Sequence, residues 1–231
     1  MALSIQQRQV GKIAVLTCNG RIAEGADSAH LQAHIANLLP LEPFIVLNLA
    51  EVSFLDSSGL GLLVRLMATS QRARGGLKLC AVPPRVVEIL RMTRLHTTLA
   101  SYPTEADAIA AFYERDTQRE TPHLATDVLC VDSSNDVLAY LRALLHEAGY
   151  GVMTATNVFD ALILLRVTRP AVVITGAGIR TLRGTGTAGT FHELANRLGV
   201  VELDASFSGE DAGDAGHRLL ERIATVVSPR K

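Results

Sequence analysis

Tryptophan is absent from this 231-residue chain, and aromatic residues make up only 4% of it. Positive charge is not in excess either, because 22 lysine and arginine residues are balanced by 23 aspartate and glutamate residues. Proteins that bind nucleic acid rely on clustered positive charge and on aromatic side chains that stack on bases. We therefore expect no nucleic-acid partner.

Long apolar runs are also missing, and none approaches the roughly 20 residues that a membrane-spanning helix needs. The first ten residues, M-A-L-S-I-Q-Q-R-Q-V, lack the apolar core of a secretory signal peptide. Cysteine is scarce: Cys18, Cys80 and Cys130 lie in separate apolar segments and form no C-x-x-C pair. We expect buried free thiols and a cytoplasmic protein with no membrane partner.

Hydrophobic residues make up 48% of the chain and charged residues 19%, which is enough apolar material for a packed core. The length allows two domains of about 110 residues each. Residues 114–126, E-R-D-T-Q-R-E-T-P-H-L-A-T, are polar and contain a proline, which is typical of a linker. We therefore predict one domain at residues 1–113 and a second at 127–231.

Apolar strand-like runs alternate with segments of helical spacing in both halves, which predicts α/β domains with helices packed on a sheet. In the first half, Ser28 is a candidate N-cap for a helix over the residues that follow it. Pro84 is expected in the first turn of another helix. Thr104 and Asp107 form a T-x-x-D capping box before the last helix of this half.

Residues 54–61, F-L-D-S-S-G-L-G, follow the apolar run at residues 44–49 and precede a segment of helical spacing. Two serines therefore lie where a buried strand turns into a helix, whose free N–H groups and dipole tolerate a phosphate. The octet has two interpretations, a structural N-cap or a phosphorylation switch on a binding surface. Asp56 either orients a serine hydroxyl or caps the helix. The residues alone do not choose between Ser57 and Ser58.

The wider pattern around this octet resembles a known family. Residues 45–64, I-V-L-N-L-A-E-V-S-F-L-D-S-S-G-L-G-L-L-V, are similar to the signature of STAS-domain anti-sigma factor antagonists. The likeness extends to residues 13–22, 77–90 and 102–108, in the same order as in that family. It implies a mixed sheet with helices for the first half of the chain.

The resemblance also implies a function based on partner switching. The unphosphorylated STAS domain would bind an anti-sigma factor, typically a serine kinase, and so release a sigma factor. The kinase would phosphorylate the second serine, Ser58, and a serine phosphatase would reset the cycle. The surface that binds the partner would comprise Asp56, Ser57, Ser58, Gly59 and Gly61. Such a protein is a substrate and a binder rather than an enzyme.

Up to residue 175, the second half resembles a two-component receiver domain, which has a flavodoxin-like α/β fold. Receivers hold Mg²⁺ with an acidic pair, and here the matching positions are Asp132 and Ser133. They accept phosphate on an aspartate, and the matching position is Gly176. No lysine lies near residues 200–203, where receivers place one. We therefore expect a degenerate receiver-like domain without phosphotransfer chemistry.

Other motifs are weaker. Residues 184–189 fit G-x-G-x-x-G and are followed by Asp204, but they begin too far from the preceding strand for a dinucleotide site, so a loop is expected. His30 and His34 are spaced i, i+4 without a third ligand, so we expect neither a metal nor a cofactor. The alternative functions are a STAS scaffold or accessory subunit of a signalling complex or transporter, and a nucleotide-dependent enzyme built on residues 184–189.

Overall fold

A computed structural model describes residues 2–117, 127–181, 186–203, 207 and 212–227 of the chain. The chain divides into two compact units, Met1–Arg115 and Asp116–Lys231. Of the segment expected to be a linker, residues 114–117 form the end of the helix Glu105–Thr117, and residues 118–126 lie outside the described part.

The first unit is a five-stranded sheet with helices. Its elements are β1 (Ser4–Val10), β2 (Ile13–Ile22), α1 (Ala26–Leu38), β3 (Phe44–Leu55), α2 (Ser57–Arg72), β4 (Gly76–Cys80), α3 (Pro84–Met92), a 3₁₀ turn (Leu95–Thr97), β5 (Ser101–Tyr102) and α4 (Glu105–Thr117). The strand order is β5-β4-β3-β2-β1. The β1 and β2 strands are antiparallel and the other neighbours are parallel, so the predicted mixed sheet is confirmed.

The core of this unit lies between the sheet and the helices that connect its strands. Leu47 on β3 and Leu63 on α2 are fully buried in it, as is Leu31 on α1. Their positions follow from the period-2 pattern of the strands and the 3.6-residue period of the helices. This packing places the beginning of α2 at the edge of the sheet where β2 and β3 end.

Two of the predicted helix starts are confirmed. Pro84 occupies the first turn of α3. Before α4, the Asp107 backbone N–H donates to the Thr104 hydroxyl at 3.2 Å, and the Thr104 hydroxyl donates to the Asp107 carboxylate at 2.7 Å. Both signals are local, because each depends on residues at most three positions apart.

The expectation that Ser28 caps α1 is wrong. The helix begins at Ala26, and its N-cap is Gly25, whose φ of 114° is a conformation that glycine adopts without strain. Ser28 lies inside the first turn, where its hydroxyl donates to the carbonyl of Ala23 at 2.5 Å. The chain therefore enters the helix earlier than the first polar capping residue indicates.

The second unit has a sheet of four parallel strands. Its elements are β6 (Asp127–Val131), α5 (Asn135–Glu147), β7 (Gly151–Ala155), α6 (Val158–Thr168), β8 (Val172–Thr175), α7 (Ala177–Thr181), α8 (Thr187–Ala195), β9 (Gly199–Glu202) and α9 (Ala212–Val227). The strand order is β7-β6-β8-β9, in which the unit's second strand lies outside its first. Doubly wound sheets of the flavodoxin type have this order.

A helix occurs in the second unit where a loop was expected. The glycine-rich motif at residues 184–189 was predicted to form a loop, yet α8 begins at Thr187, inside that motif. The Phe191 side chain is fully buried and anchors α8 to the unit. Short helices of low intrinsic propensity depend on such tertiary packing, which a local pattern does not reveal.

Candidate functional site

The turn between β3 and α2 is tied to the end of β2. Leu55 and Ile22 are register partners on the two parallel strands, so both strands end at the same edge of the sheet. The backbone N–H of Asp56 then donates to the carbonyl of Ile22 at 3.4 Å. The first turn of α2 is thereby held at the carboxyl edge of the sheet.

The Asp56 side chain caps α2. Its carboxylate accepts hydrogen bonds from the backbone N–H of Gly59 at 2.7 Å and from that of Glu24 at 3.2 Å. These bonds, led by the one from Gly59 and assisted by Ser58 and the nearby Arg21 charge, lower the pKa of the Asp56 carboxyl. Of the two roles that the sequence left open, the geometry gives Asp56 the cap and a link to the loop after β2.

Both serines of the turn have accessible side chains. Ser57 is exposed and Ser58 is partly exposed. Within the described part of the chain, neither hydroxyl makes a hydrogen bond, so neither is committed to a structural role. An unbonded hydroxyl at a helix N-terminus meets the basic requirement for phosphorylation, because the added phosphate meets free N–H groups and a favourable dipole.

The two glycines of the motif differ in environment. Gly59 is buried, and a Cβ atom there would lie 2.2 Å from the carbonyl oxygen of Ile22. Packing against β2 therefore explains a glycine at position 59, and its expected part in a partner surface stays a prediction. Gly61 is partly exposed, and the nearest atom to a Cβ there is Nη1 of Arg65 at 3.6 Å. Gly61 thus leaves a shallow accessible surface on α2.

Three residues near the turn, Arg65, Arg21 and Phe54, were not among the predicted site residues. Arg65 extends back along α2 over Gly61, and its i+7 spacing from Ser58 was a readable signal. The Arg21 guanidinium lies 4.8 Å from the centre of the Phe54 ring, whose side chain is 45% exposed. This pair forms only because Arg21 and Phe54 are register partners on β2 and β3, which no local pattern shows.

Of the weaker motifs, the structure describes the histidine pair and only part of the glycine-rich segment. The rings of His30 and His34 lie 6.4 Å apart, and Nε2 of His34 contacts the Gln7 side-chain oxygen at 3.0 Å. Over the residues that the structure describes, no group of three potential metal ligands occurs. Gly184 and Asp204, which belong to the glycine-rich motif, lie outside that part. No helix within the described ranges has the length and hydropathy of a membrane span.

The predicted buried thiols are confirmed. Cys18, Cys80 and Cys130 are all free and buried. Burial raises the pKa of each thiol to about 12. At neutral pH they are protonated, so they lack the thiolate that nucleophilic or redox chemistry needs.

In the second unit, the structure brings Asp132 and Gly176 together. A Cβ atom at Gly176 would lie 1.6 Å from Oδ2 of Asp132, so this carboxylate fills the space beside the glycine. Its other oxygen accepts a hydrogen bond from the Ser134 N–H at 2.7 Å. The two positions that the sequence matched to a receiver's acidic residue and phosphate acceptor are therefore adjacent. The Asp132 carboxylate occupies the space beside Gly176.

The first unit is similar to known proteins. Residues 4–108 match the family model of the STAS domain. The solved structures similar to it include anti-sigma factor antagonists. One from Mycobacterium paratuberculosis is 25% identical and has a TM-score of 0.41, and the match covers 48% of this chain and 93% of that one.

Two further structures are similar over the same half. The Bacillus anti-sigma factor antagonist SpoIIAA, in its unphosphorylated form, is 24% identical with a TM-score of 0.42, over 48% of this chain and 97% of that chain. A putative anti-sigma factor antagonist from Thermotoga maritima is 20% identical with a TM-score of 0.44. That match covers 46% of this chain and 92% of the Thermotoga chain.

Proposed function

We propose that this protein is an anti-sigma factor antagonist that works by partner switching, with Ser58 as the phosphorylated residue. The unphosphorylated form binds an anti-sigma factor that is a serine kinase, and the bound kinase releases its sigma factor. The kinase transfers phosphate to Ser58 and the complex dissociates. A serine phosphatase removes the phosphate. In this cycle the chain is a substrate and a binder, not an enzyme.

The observation that carries the proposal is the accessible, unbonded Ser58 hydroxyl at the N-terminus of α2 in a STAS domain. Phosphate adds about −1.5 to −2 charges and three acceptor oxygens. At a helix N-terminus this charge is tolerated by the protein itself. The same charge opposes the binding of a partner that contacts the unmodified hydroxyl. A loss of ~2.8 kcal/mol in binding free energy would weaken the complex about 100-fold.

The environment of α2 favours Ser58 over its neighbour. Ser58, Gly61 and Arg65 follow the i, i+3, i+7 spacing of one helix face, which we term the switch face. Gly61 leaves this face open, and the Arg65 guanidinium lies beside Gly61. A phosphate on Ser58 would therefore change the charge of the face on which Gly61 permits close approach. Ser57 is one position earlier in the helix, so its side chain does not lie on the switch face.

The test is direct binding to a purified anti-sigma factor kinase, measured by calorimetry. We expect a complex with the unphosphorylated chain, loss of binding after incubation with ATP, and recovery after treatment with a serine phosphatase. Gly61→Arg should also weaken the complex without lowering the melting temperature. A complex with the same affinity before and after phosphorylation would exclude partner switching.

For the second unit we propose a receiver-like domain at residues 127–231 that has lost phosphotransfer, joined to the STAS domain of residues 1–113 by the segment 114–126. The strand order of its sheet supports this interpretation. So does the Asp132 carboxylate, which fills the space beside Gly176 where a receiver has its acceptor aspartate. Its role is to dock a protein partner or to modulate access to Ser58.

A further inference from the structure

A second candidate site lies in the first unit, at the edge of the sheet beside β4. It is a pocket of about 250 Å³, which we term the edge pocket. Its lining includes Gln71 on α2, Leu77 and Lys78 on β4, Thr97 and Thr98 before β5, and Phe112 on α4. None of them belongs to the switch face.

The pocket exists because β5 is too short to cover β4. The two strands pair only at Leu79 and Cys80, and the Leu79 N–H donates to the carbonyl of Ala100 at 2.9 Å. Alternate N–H groups of a strand point to the same side, so the Leu77 N–H points in the same direction. At Leu77 that direction leads to the pocket instead of to a neighbouring strand.

Lys78 brings a buried positive charge to this pocket. The residue is only 4% exposed, and its ammonium donates to the Tyr102 hydroxyl at 2.7 Å. The ammonium also lies 4.7 Å from the centre of the Tyr102 ring and 4.8 Å from that of Phe112. Among the residues that the structure describes, no carboxylate forms an ion pair with it. A buried charge without a counter-ion is costly, so an anion at this position would be stabilising.

We propose that the edge pocket binds a small monocarboxylate. Its carboxylate would neutralise Lys78 and accept hydrogen bonds from the Leu77 N–H and from the Thr98 hydroxyl, which has no other partner in the described part of the chain. Phe112 offers an apolar wall for a short carbon chain. A single positive charge matches one carboxylate better than a phosphate dianion. The volume is below the ~300–1,000 Å³ of sites for drug-sized ligands, which limits the ligand to a few carbon atoms.

The experiment is an NMR titration of the full ¹⁵N-labelled chain with sodium propionate and sodium butyrate. We expect saturable shifts confined to the backbone around residues 71–78, 97–100 and 112. Lys78→Met should weaken binding roughly 10- to 100-fold, because it removes a hydrogen bond to a charged group. Lys12→Met, which removes an exposed lysine of the same unit, should bind as the parent does.

Three results would overturn the proposal. They are the absence of saturable shifts with both acids, equal shifts with sodium chloride at the same ionic strength, and tighter binding of inorganic phosphate. If Lys78→Met does not fold, Thr98→Val replaces it, since it removes one hydroxyl at an exposed position and should also weaken binding. The chemical-shift changes of the parent chain test the location of the site without any variant. Saturable shifts in other residues would place the carboxylate outside the edge pocket.

Discussion

A Cβ atom at Gly59 would lie 2.2 Å from the carbonyl oxygen of Ile22, so the first turn of α2 meets the end of β2 at a distance that only glycine allows. The same carbonyl accepts the Asp56 N–H, and the Asp56 carboxylate accepts the Glu24 N–H. These contacts hold the turn in place without using either serine hydroxyl. Phosphorylation at this turn can therefore alter its charge while its backbone is retained.

This close approach predicts opposite effects for the two glycines. Gly59→Ala should lower the free energy of unfolding by about 1–3 kcal/mol, because the backbone of β2 must move. Gly61→Ala is the matched control, since its Cβ meets only the end of the Arg65 side chain and alanine favours the helix by up to ~1 kcal/mol. Urea denaturation measures both values. Equal destabilisation would mean that the contact with Ile22 is not the constraint.

Phosphate should map to Ser58. After incubation with the anti-sigma factor kinase and ATP, mass spectrometry should find a single phosphoserine in the peptide that covers residues 56–65. The reason is that Ser58 is accessible and lies on the switch face. Phosphate only on Ser57, or only in residues 127–231, would contradict the assignment.

Substitutions at Ser58 should separate binding from folding. Ser58→Asp introduces a negative charge on the switch face and should weaken kinase binding, with a magnitude up to about 100-fold. Ser58→Ala should bind as the parent does but accept no phosphate. Ser57→Asp is the matched control at the adjacent exposed residue and should have the smaller effect. Calorimetry gives the affinities, and equal affinity of Ser58→Asp and the parent would refute the switch.

Stability should fall in acid partly because of Asp56. Its backbone hydrogen bonds lower its pKa in the folded state, whereas the unfolded chain has the ordinary value of about 3.9. The contribution is therefore present above that ordinary value and is lost as the pH falls through the lower folded value. Asp56→Asn is the reference variant, because asparagine is also a favoured N-cap residue but its side chain does not ionise. The stability of the parent relative to this variant should therefore decline as the pH is lowered below that ordinary value, as measured by thermal unfolding. A constant difference would contradict the shift.

The second unit should not accept phosphate from acetyl phosphate and Mg²⁺. Gly176 offers no nucleophile, and the single carboxylate of Asp132 is an incomplete ligand set for Mg²⁺. The measurement is mass spectrometry of the intact full chain, with a functional receiver domain as the positive control. An acyl phosphate in residues 127–231 that depends on Mg²⁺ would require a different assignment of the second unit.

Local signals in the sequence predicted what depends on a few neighbouring residues. The capping box at Thr104, the position of Pro84 and the strand-to-helix turn at Asp56 all belong to this group. The loop expected at residues 184–189 was wrong where tertiary packing contributes, since α8 begins at Thr187 and its Phe191 side chain is fully buried. The cap expected at Ser28 was wrong for a local reason, because the N-cap of α1 is Gly25, three residues earlier.

By itself, the sequence determined the alternation of strands and helices, the buried thiols and the serine pair at a helix N-terminus, because periodicity and capping act over a few residues. Only the tertiary structure decided that Gly59 packs against Ile22 while Gly61 stays accessible, and that Arg21 lies over Phe54. It also decided that Lys78 lines an uncovered edge of β4. These features depend on the register of parallel strands whose residues are far apart in the chain, and that register is a property of the packed sheet.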